Sequence, residues 1–158
     1  LDLLRAPKQE LRSRIAQLMS DVKDKEKEIE ELKLKIAASA STDLVEKIVD
    51  ISGTPFLASE IVGDNKAMMK MLDDLRSKHP GAIIVLAQQG QGKISVVVGV
   101  DGELSKSIAA GELLAEIGPI IGVKGGGPAH LARGGGAGGL EKFEEAVDRA
   151  KDWVRERL

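Results

Sequence analysis

A long stretch without glycine near the start of the chain constrains the fold more than any other feature. Between Arg5 and Ala38 the sequence contains one proline, Pro7, and no glycine. Pro7 suits the first turn of a helix, where its missing N–H is not needed. Apolar side chains then recur with the spacing of a coiled-coil heptad. The a positions hold Ile15, Val22, Ile29 and Ile36, and the d positions hold Leu4, Leu11, Leu18 and Leu32, with Lys8 and Lys25 as interruptions.

The apolar stripe of this helix needs a partner, because one helix cannot bury it alone. The pattern predicts a helix of about 30 residues, on the order of 45 Å long. β-Branched residues at a with leucine at d favour a parallel two-stranded coil. Glu28 and Lys33 could pair across such a coil, whereas Asp21 and Glu26 would repel each other. The alternative partner is a helix of the same polypeptide outside this chain, and the sequence leaves both possibilities open.

Turn signals divide the remainder into short elements. We expect a helical segment at residues 1–38 and a globular domain at residues 39–158, with a small polar hinge at Ala37–Thr42. Leu44–Ile51 is ambiguous between a last helical turn and a strand. Helices alternating with a few strands predict an α/β fold, a long coiled-coil-like helix followed by a small α/β sandwich. The predicted strands are Phe56–Val62, Ala82–Gln88 and Ile94–Val100, and the predicted helices are Asp64–His79 (capped by Asp64), Ser107–Ile117 and Glu141–Leu158.

Two apolar surfaces are candidates for dimerisation, and we expect a homodimer. Because the chain starts at Leu1 rather than Met, we expect a fragment whose upstream part is missing. Both surfaces would then be left without a partner. The candidates are Leu11, Ile15, Leu18, Val22, Ile29 and Leu32 on the stripe, and Phe143, Val147 and Trp153 on the closing helix.

Composition excludes several classes of function. There is no cysteine, and the two histidines, His79 and His130, are far apart, so disulfides, thiolate zinc sites and cysteine nucleophiles are excluded and no metal site is expected. Apolar runs such as Ala82–Ala87 are too short to cross a bilayer and no signal peptide is visible, so we expect a cytoplasmic protein without membrane contact. The net charge is −2, so any contact with nucleic acid must come from a local patch.

One such patch lies in a glycine-rich segment. Nine of the 18 glycines fall between Gly122 and Gly139, and no acidic residue occurs between Pro119 and Leu140. Successive glycines allow backbone N–H groups to converge on an anion, which predicts a phosphate-binding nest with positive φ at Gly126. The segment matches neither a Walker A loop nor a dinucleotide fingerprint, and a purely structural turn is the alternative. The candidate site residues are Lys124, Gly125, Gly126, Gly127, His130, Arg133, Gly134 and Gly135.

The run Gly122–Gly136 resembles the glycine-rich signature that closes alanyl-tRNA synthetases, and is more distantly similar to the substrate-binding domain of DHH-type phosphoesterases. Leu3–Pro7, Val96–Val100 and Ala109–Leu113 resemble further parts of the same synthetase tail, in the same order. Pro128 departs from that pattern, because the family commonly carries a basic residue directly after the triple glycine.

The resemblance implies a non-catalytic module. In the synthetases this tail binds the outer corner of tRNA, links aminoacylation with editing, and in some members carries the dimer contact. The implied partner is therefore tRNA, specific for alanine in the parent alanine–tRNA ligase. ATP, Mg and Zn are implied only for upstream domains, so no cofactor and no catalytic centre are expected here. The alternatives are the substrate domain of a DHH-type phosphoesterase and a pure oligomerisation module.

Overall fold

The predicted α/β fold, a long helix followed by a sheet with packed helices, is confirmed. The computed structural model describes residues 8–90 and 92–158, and in the first helix it describes the side chains of residues 12–29, 32 and 44. Leu4, Pro7 and the side chain of Leu11 lie outside this part. The helices are α1 (Lys8–Val45), α2 (Asn65–Lys78), α3 (Ala110–Ile121) and α4 (Phe143–Arg155). The strands are β1 (Val49–Ile51), β2 (Thr54–Glu60), β3 (Ile83–Gly90), β4 (Lys93–Val100), β5 (Val123–Gly126) and β6 (Leu131–Gly136).

Helix α1 is longer than predicted. It contains 38 residues, about 57 Å at 1.5 Å per residue. The predicted hinge at Ala37–Thr42 is wrong, because this stretch is helical. No glycine or proline occurs between Pro7 and Gly53, so nothing in the local sequence stops the helix earlier. The chain divides into two compact units between Ile36 and Ala37, and Leu44 in the last turn of α1 packs in the core of the second unit.

The second unit is a six-stranded sheet with helices on both faces. The strand order is β1-β2-β3-β4-β6-β5, and all neighbours are antiparallel except β2 and β3. Helix α2 makes the crossover between these two parallel strands, as such a pair requires. Asp64 caps α2 as predicted, and its carboxylate accepts from the N–H of Ala67 at 2.9 Å. One core lies between α2 and the sheet, and a larger one lies between the sheet and helices α3 and α4.

The apolar face of α4 belongs to that larger core. Phe143 and Trp153 are 4% and 3% exposed, and Val147 is partly buried against the same cluster. The guanidinium of Arg157 lies 3.8 Å from the centroid of the Trp153 ring and covers it from outside. The expectation that Phe143, Val147 and Trp153 form an exposed dimerisation surface is therefore wrong. The domain supplies its own partner for this helix, in the form of α3 and the sheet.

Helix α3 also departs from its predicted bounds. We predicted Ser107–Ile117, but the helix starts at Ala110 and continues through Pro119 to Ile121. A proline removes one hydrogen bond of the helix ladder, which usually ends a helix. Here Ile117, Gly118 and Ile121 remain buried against the sheet, and this packing offsets the lost bond. The helix ends at Gly122, whose φ of 68° is left-handed.

Asp101 joins two loops and gives a prediction about stability. Its carboxylate accepts from the N–H of Gly81 at 2.5 Å and from the N–H of Gly102 at 2.8 Å, which lowers its pKa. Asp101→Ala is expected to lower the free energy of unfolding by about 1 kcal/mol at pH 7, because two charge-assisted hydrogen bonds are lost at a site that solvent partly screens. Urea unfolding followed by circular dichroism measures this.

The pH dependence of the Asp101 effect has a defined sign. A carboxylate whose pKa is lower in the folded state stabilises the fold above its unfolded pKa, and this contribution is lost as the pH falls through the folded pKa. The difference between the parent and Asp101→Ala should therefore shrink in acid. Asp74→Ala, at an exposed position on α2, is the matched control. A difference that is constant with pH would contradict the assignment.

Candidate functional site

The glycine-rich segment is a β-hairpin. Strands β5 and β6 pair from Val123 opposite Gly136 to Gly126 opposite Arg133, and β6 also pairs with β4. Within this segment only Gly122 has a positive φ. A nest requires left-handed residues that turn successive N–H groups inward. The predicted nest is therefore wrong, and so is the positive φ expected for Gly126.

The glycines allow close approach of backbones. A Cβ atom placed on Gly125 would lie closer than 3.0 Å to the backbone of Arg133 and Gly134 on the neighbouring strand. A Cβ atom on Gly134 would meet the Val123 side chain at 2.5 Å, and one on Gly118 of α3 would meet the carbonyl oxygen of Val123 at 2.6 Å. Helix α3 and the hairpin can lie this close only because these positions lack side chains.

The strand register places Lys124 and Arg133 on one face of the sheet. Gln88, Ser95, Gly135 and Lys124 form a row of directly opposed residues across β3, β4, β6 and β5. The next row on this face consists of Leu86, Val97, Arg133 and Gly126. Directly opposed residues share a face, and Leu86 and Val97 belong to the core beneath α2. Lys124 and Arg133 are thus diagonal neighbours on the α2 face, about 7–8 Å apart.

Four of the eight predicted site residues are brought together by this register. Lys124, Gly126, Arg133 and Gly135 form an exposed surface, which we call the basic face. Gly125 and Gly134 lie on the opposite side of the hairpin, towards α3.

Gly127 and His130 lie apart from the basic face, in the loop at the far end of the hairpin. This loop covers the start of α3. The N–H of Ala110 donates to the carbonyl oxygen of Ala129 at 2.7 Å, and the N–H of Val100 donates to that of His130 at 3.1 Å. The loop therefore presents one carbonyl oxygen to the first N–H of α3 and another to the end of β4, and neither of these N–H groups faces an anion. The structure does not bring His130 together with Lys124 and Arg133.

The charge of the basic face is not compensated locally. Within residues 8–90 and 92–158, the side chains of Lys124 and Arg133 make no hydrogen bond and no ion pair. The absence of acidic residues from Pro119 to Leu140 keeps carboxylates out of the hairpin. The start of α4, the next α-helix along the chain, carries Glu144 and Glu145 in its first turn. Those carboxylates already interact with the positive end of that helix.

A cleft that sequence reasoning missed opens beside the basic face. It has a volume of about 390 Å³ and lies at the first turn of α2, where Arg133 forms part of its wall. Its lining comes from α2, β4 and β6, so no local pattern marks it. Its walls include the side chains of Asn65, Met68, Met69, Ser95 and Arg133.

The described residues contain neither a cluster of metal-ligating side chains nor a membrane-spanning helix. No group of three or more histidine, cysteine, aspartate or glutamate side chains within this part of the chain could hold a metal ion. Every helix in the same part is too short or too polar to cross a membrane.

The fold and the site together define an α/β module with an open, positively charged sheet face. Residues 53–156 match the family model of the DHHA1 domain, and the chain belongs to this family. The resemblance noted from the glycine-rich motif is confirmed by the alanine–tRNA ligase of Bordetella avium, which is 41% identical over 99% of this chain. That of Ralstonia nicotianae is 37% identical over 98% of this chain. The chain spans 18% of the length of these relatives.

Solved structures show the same fold. The C-Ala domain of Aquifex aeolicus alanyl-tRNA synthetase superposes with a TM-score of 0.64 at 28% identity, over 69% of this chain and 98% of that one. A DHH-domain member of the s1p family of ribosomal proteins shares the fold at a TM-score of 0.51 and 16% identity, over 92% of this chain and 34% of that one.

Proposed function

We propose that this chain is the C-terminal module of an alanyl-tRNA synthetase and that it binds the outer corner of tRNA through the basic face. The module itself carries out no chemical step. By holding one tRNA it serves both the aminoacylation and the editing sites of the parent enzyme. The similarity to alanine–tRNA ligases over 99% of the chain supports this assignment. The single structural observation that carries it is the exposed pair Lys124 and Arg133 on a glycine-lined sheet.

The shape of the basic face suits a phosphate backbone. Gly126 and Gly135 occupy the remaining positions of the face, so no side chain holds the ligand away from the sheet. Two cationic side chains at diagonally neighbouring positions can contact one phosphate or two neighbouring ones. Contacts of this kind recognise the form of a folded RNA and carry little base information. We therefore expect the isolated chain to discriminate weakly between alanine tRNA and other tRNAs.

The salt dependence of tRNA binding tests this proposal. The chain should bind full-length tRNA at low salt, and the logarithm of its affinity should fall linearly with the logarithm of the salt concentration. Lys124→Ala combined with Arg133→Ala should weaken binding and reduce this slope by about two units at most, because each lost phosphate contact removes roughly one. Filter binding or fluorescence anisotropy across a salt series gives both quantities.

The controls separate this proposal from its alternatives. Both side chains are exposed, so the double variant should unfold at the same urea concentration as the parent. Lys151→Ala combined with Arg155→Ala removes the same charge from α4, away from the hairpin, and should leave the slope unchanged. Parental binding by the folded Lys124/Arg133 variant at every salt concentration would refute the basic face. Tighter binding of mononucleotides than of tRNA would favour the substrate domain of a phosphoesterase.

A second role concerns α1. Ile15, Leu18, Val22, Ile29 and Leu32 are between 50% and 62% exposed, although they form one apolar stripe. Such a surface is costly to leave in water. We infer that the stripe pairs with the same stripe of a second copy, in the coiled-coil register predicted from the heptads. A helix of the parent polypeptide remains the other possible partner, and the mass of the chain in solution distinguishes the two.

A further inference from the structure

We propose that the cleft beside α2 holds one unpaired nucleobase of the bound RNA, while the phosphate of that nucleotide lies on the basic face. This inference rests on the proposed RNA-binding function and deepens it. It adds a contact with a base to the proposed contact with phosphate, and it locates this contact in a cleft that no sequence motif marks.

The walls of the cleft suit a flat, partly apolar ring. Met68 and Met69 line one side, and unbranched thioether side chains adapt to planar ligands. The volume of about 390 Å³ lies within the range of small-ligand pockets. Aromatic stacking, the usual way to hold a base, is not available, because Phe56, Phe143 and Trp153 are the only aromatic residues and all are at least 96% buried.

Polar groups at the rim can contact the edge of a base. The side-chain oxygen of Asn65 accepts from the amide of Gln88 at 3.0 Å, which fixes its orientation. The amide nitrogen of Asn65 then still has two N–H donors. The hydroxyl of Ser95 can both donate and accept, and it makes no hydrogen bond to another described residue. A base edge with mixed donors and acceptors matches this set.

The register connects the cleft with the basic face. Ser95, Gly135 and Lys124 are directly opposed on three neighbouring strands. Two strand spacings separate Ser95 from Lys124, about 10 Å. Gly135 lies between them without a side chain, so the path across the sheet is open. Arg133 lines the cleft and also belongs to the basic face, which places a cation between the base and the phosphate of one nucleotide.

Two single-stranded oligonucleotides of equal length test this inference. One carries its bases, and the other has the same sugar-phosphate backbone with abasic residues. Affinities are measured by fluorescence anisotropy at low salt, with the complete 158-residue chain. The oligonucleotide with bases should bind about tenfold more tightly, because the ring leaves water and packs against the methionine wall of the cleft. Equal affinities, or no binding of either oligonucleotide, would overturn the base cleft, whereas the basic face is overturned separately by the salt series with tRNA.

Substitutions locate the effect. Ser95→Leu fills the cleft and should reduce the affinity ratio of the two oligonucleotides from about ten to about one, because the base can no longer enter. Met69→Gln makes the wall polar without changing the sheet, and should lower the same ratio if Ser95→Leu fails to fold. Ser107→Leu adds the same bulk at an exposed position before α3 and should keep the parental ratio. A parental ratio in folded Ser95→Leu and folded Met69→Gln would refute the cleft as the site.

Discussion

Replacing Gly125 with alanine is expected to destabilise the domain severely, whereas the same replacement at its neighbour Gly126 should change little. The added Cβ at Gly125 would lie closer than 3.0 Å to the backbone of Arg133 and Gly134. Backbone atoms of a paired strand cannot rotate away as a side chain can. At Gly126 an added Cβ meets nothing within 4 Å, and φ is not positive.

The expected magnitudes differ enough to be measured by urea unfolding. Gly125→Ala should lower the free energy of unfolding by about 3 kcal/mol or more, because a strand must shift and open the contact with α3. Gly126→Ala should remain within about 0.5 kcal/mol of the parent. Both variants remove one glycine from the unfolded chain, so they match in their effect on unfolded-state entropy. Equal unfolding midpoints for the two would show that the hairpin does not pack as described.

The second large effect is expected at Leu18. This residue is 62% exposed at the centre of the α1 stripe. In a parallel pair, Leu18→Glu would place two like charges opposite each other in an apolar seam, where neither can be paired. The dimer dissociation constant should rise by 100-fold or more, roughly 2.7 kcal/mol. Analytical ultracentrifugation over a concentration series gives this constant.

A matched substitution on the far side of α1 controls for charge alone. Ser20 lies at an f position, opposite the stripe, and Ser20→Glu adds the same charge there. This variant should dimerise as the parent does. If the unsubstituted chain is monomeric at high micromolar concentration, pairing between copies is refuted. A helix of the full-length polypeptide then remains as the partner of the stripe. A Leu18→Glu variant that dimerises like the parent would place the seam elsewhere.

Local sequence patterns were sufficient to predict the helices and strands whose apolar residues follow a regular period. The heptad spacing predicted α1. Asp64 followed by the apolar spacing of Met68, Met71 and Leu72 predicted α2, and these three side chains are buried as expected. The β-branched runs predicted β3 and β4. In each case the periodicity of the side chains matches that of the backbone, so the sequence alone carries the information.

Local sequence patterns could not predict the glycine-rich strands β5 and β6. Glycine is depleted in strands, and the run from Gly134 to Gly136 gives no alternating pattern. The segment is a strand because β4 offers an edge to pair with and α3 packs against it. The sequence also did not show what α4 packs against. Its amphipathic pattern predicted a helix with a buried face, but not whether Phe143 and Trp153 face a second chain or the same domain.

The sequence by itself determined that this chain has a long helix with an unburied apolar stripe and an α/β domain. It also determined that one segment carries cationic and no acidic residues, and that the chain resembles alanyl-tRNA synthetases. These are properties of composition, spacing and motif, and they can be recognised without a structure. Only the tertiary structure decided which residues act together. Lys124 and Arg133 are nine positions apart in the chain, and they become neighbours because β5 and β6 pair in one register. A shift of that register by one residue would place them on opposite faces, since side chains alternate along a strand.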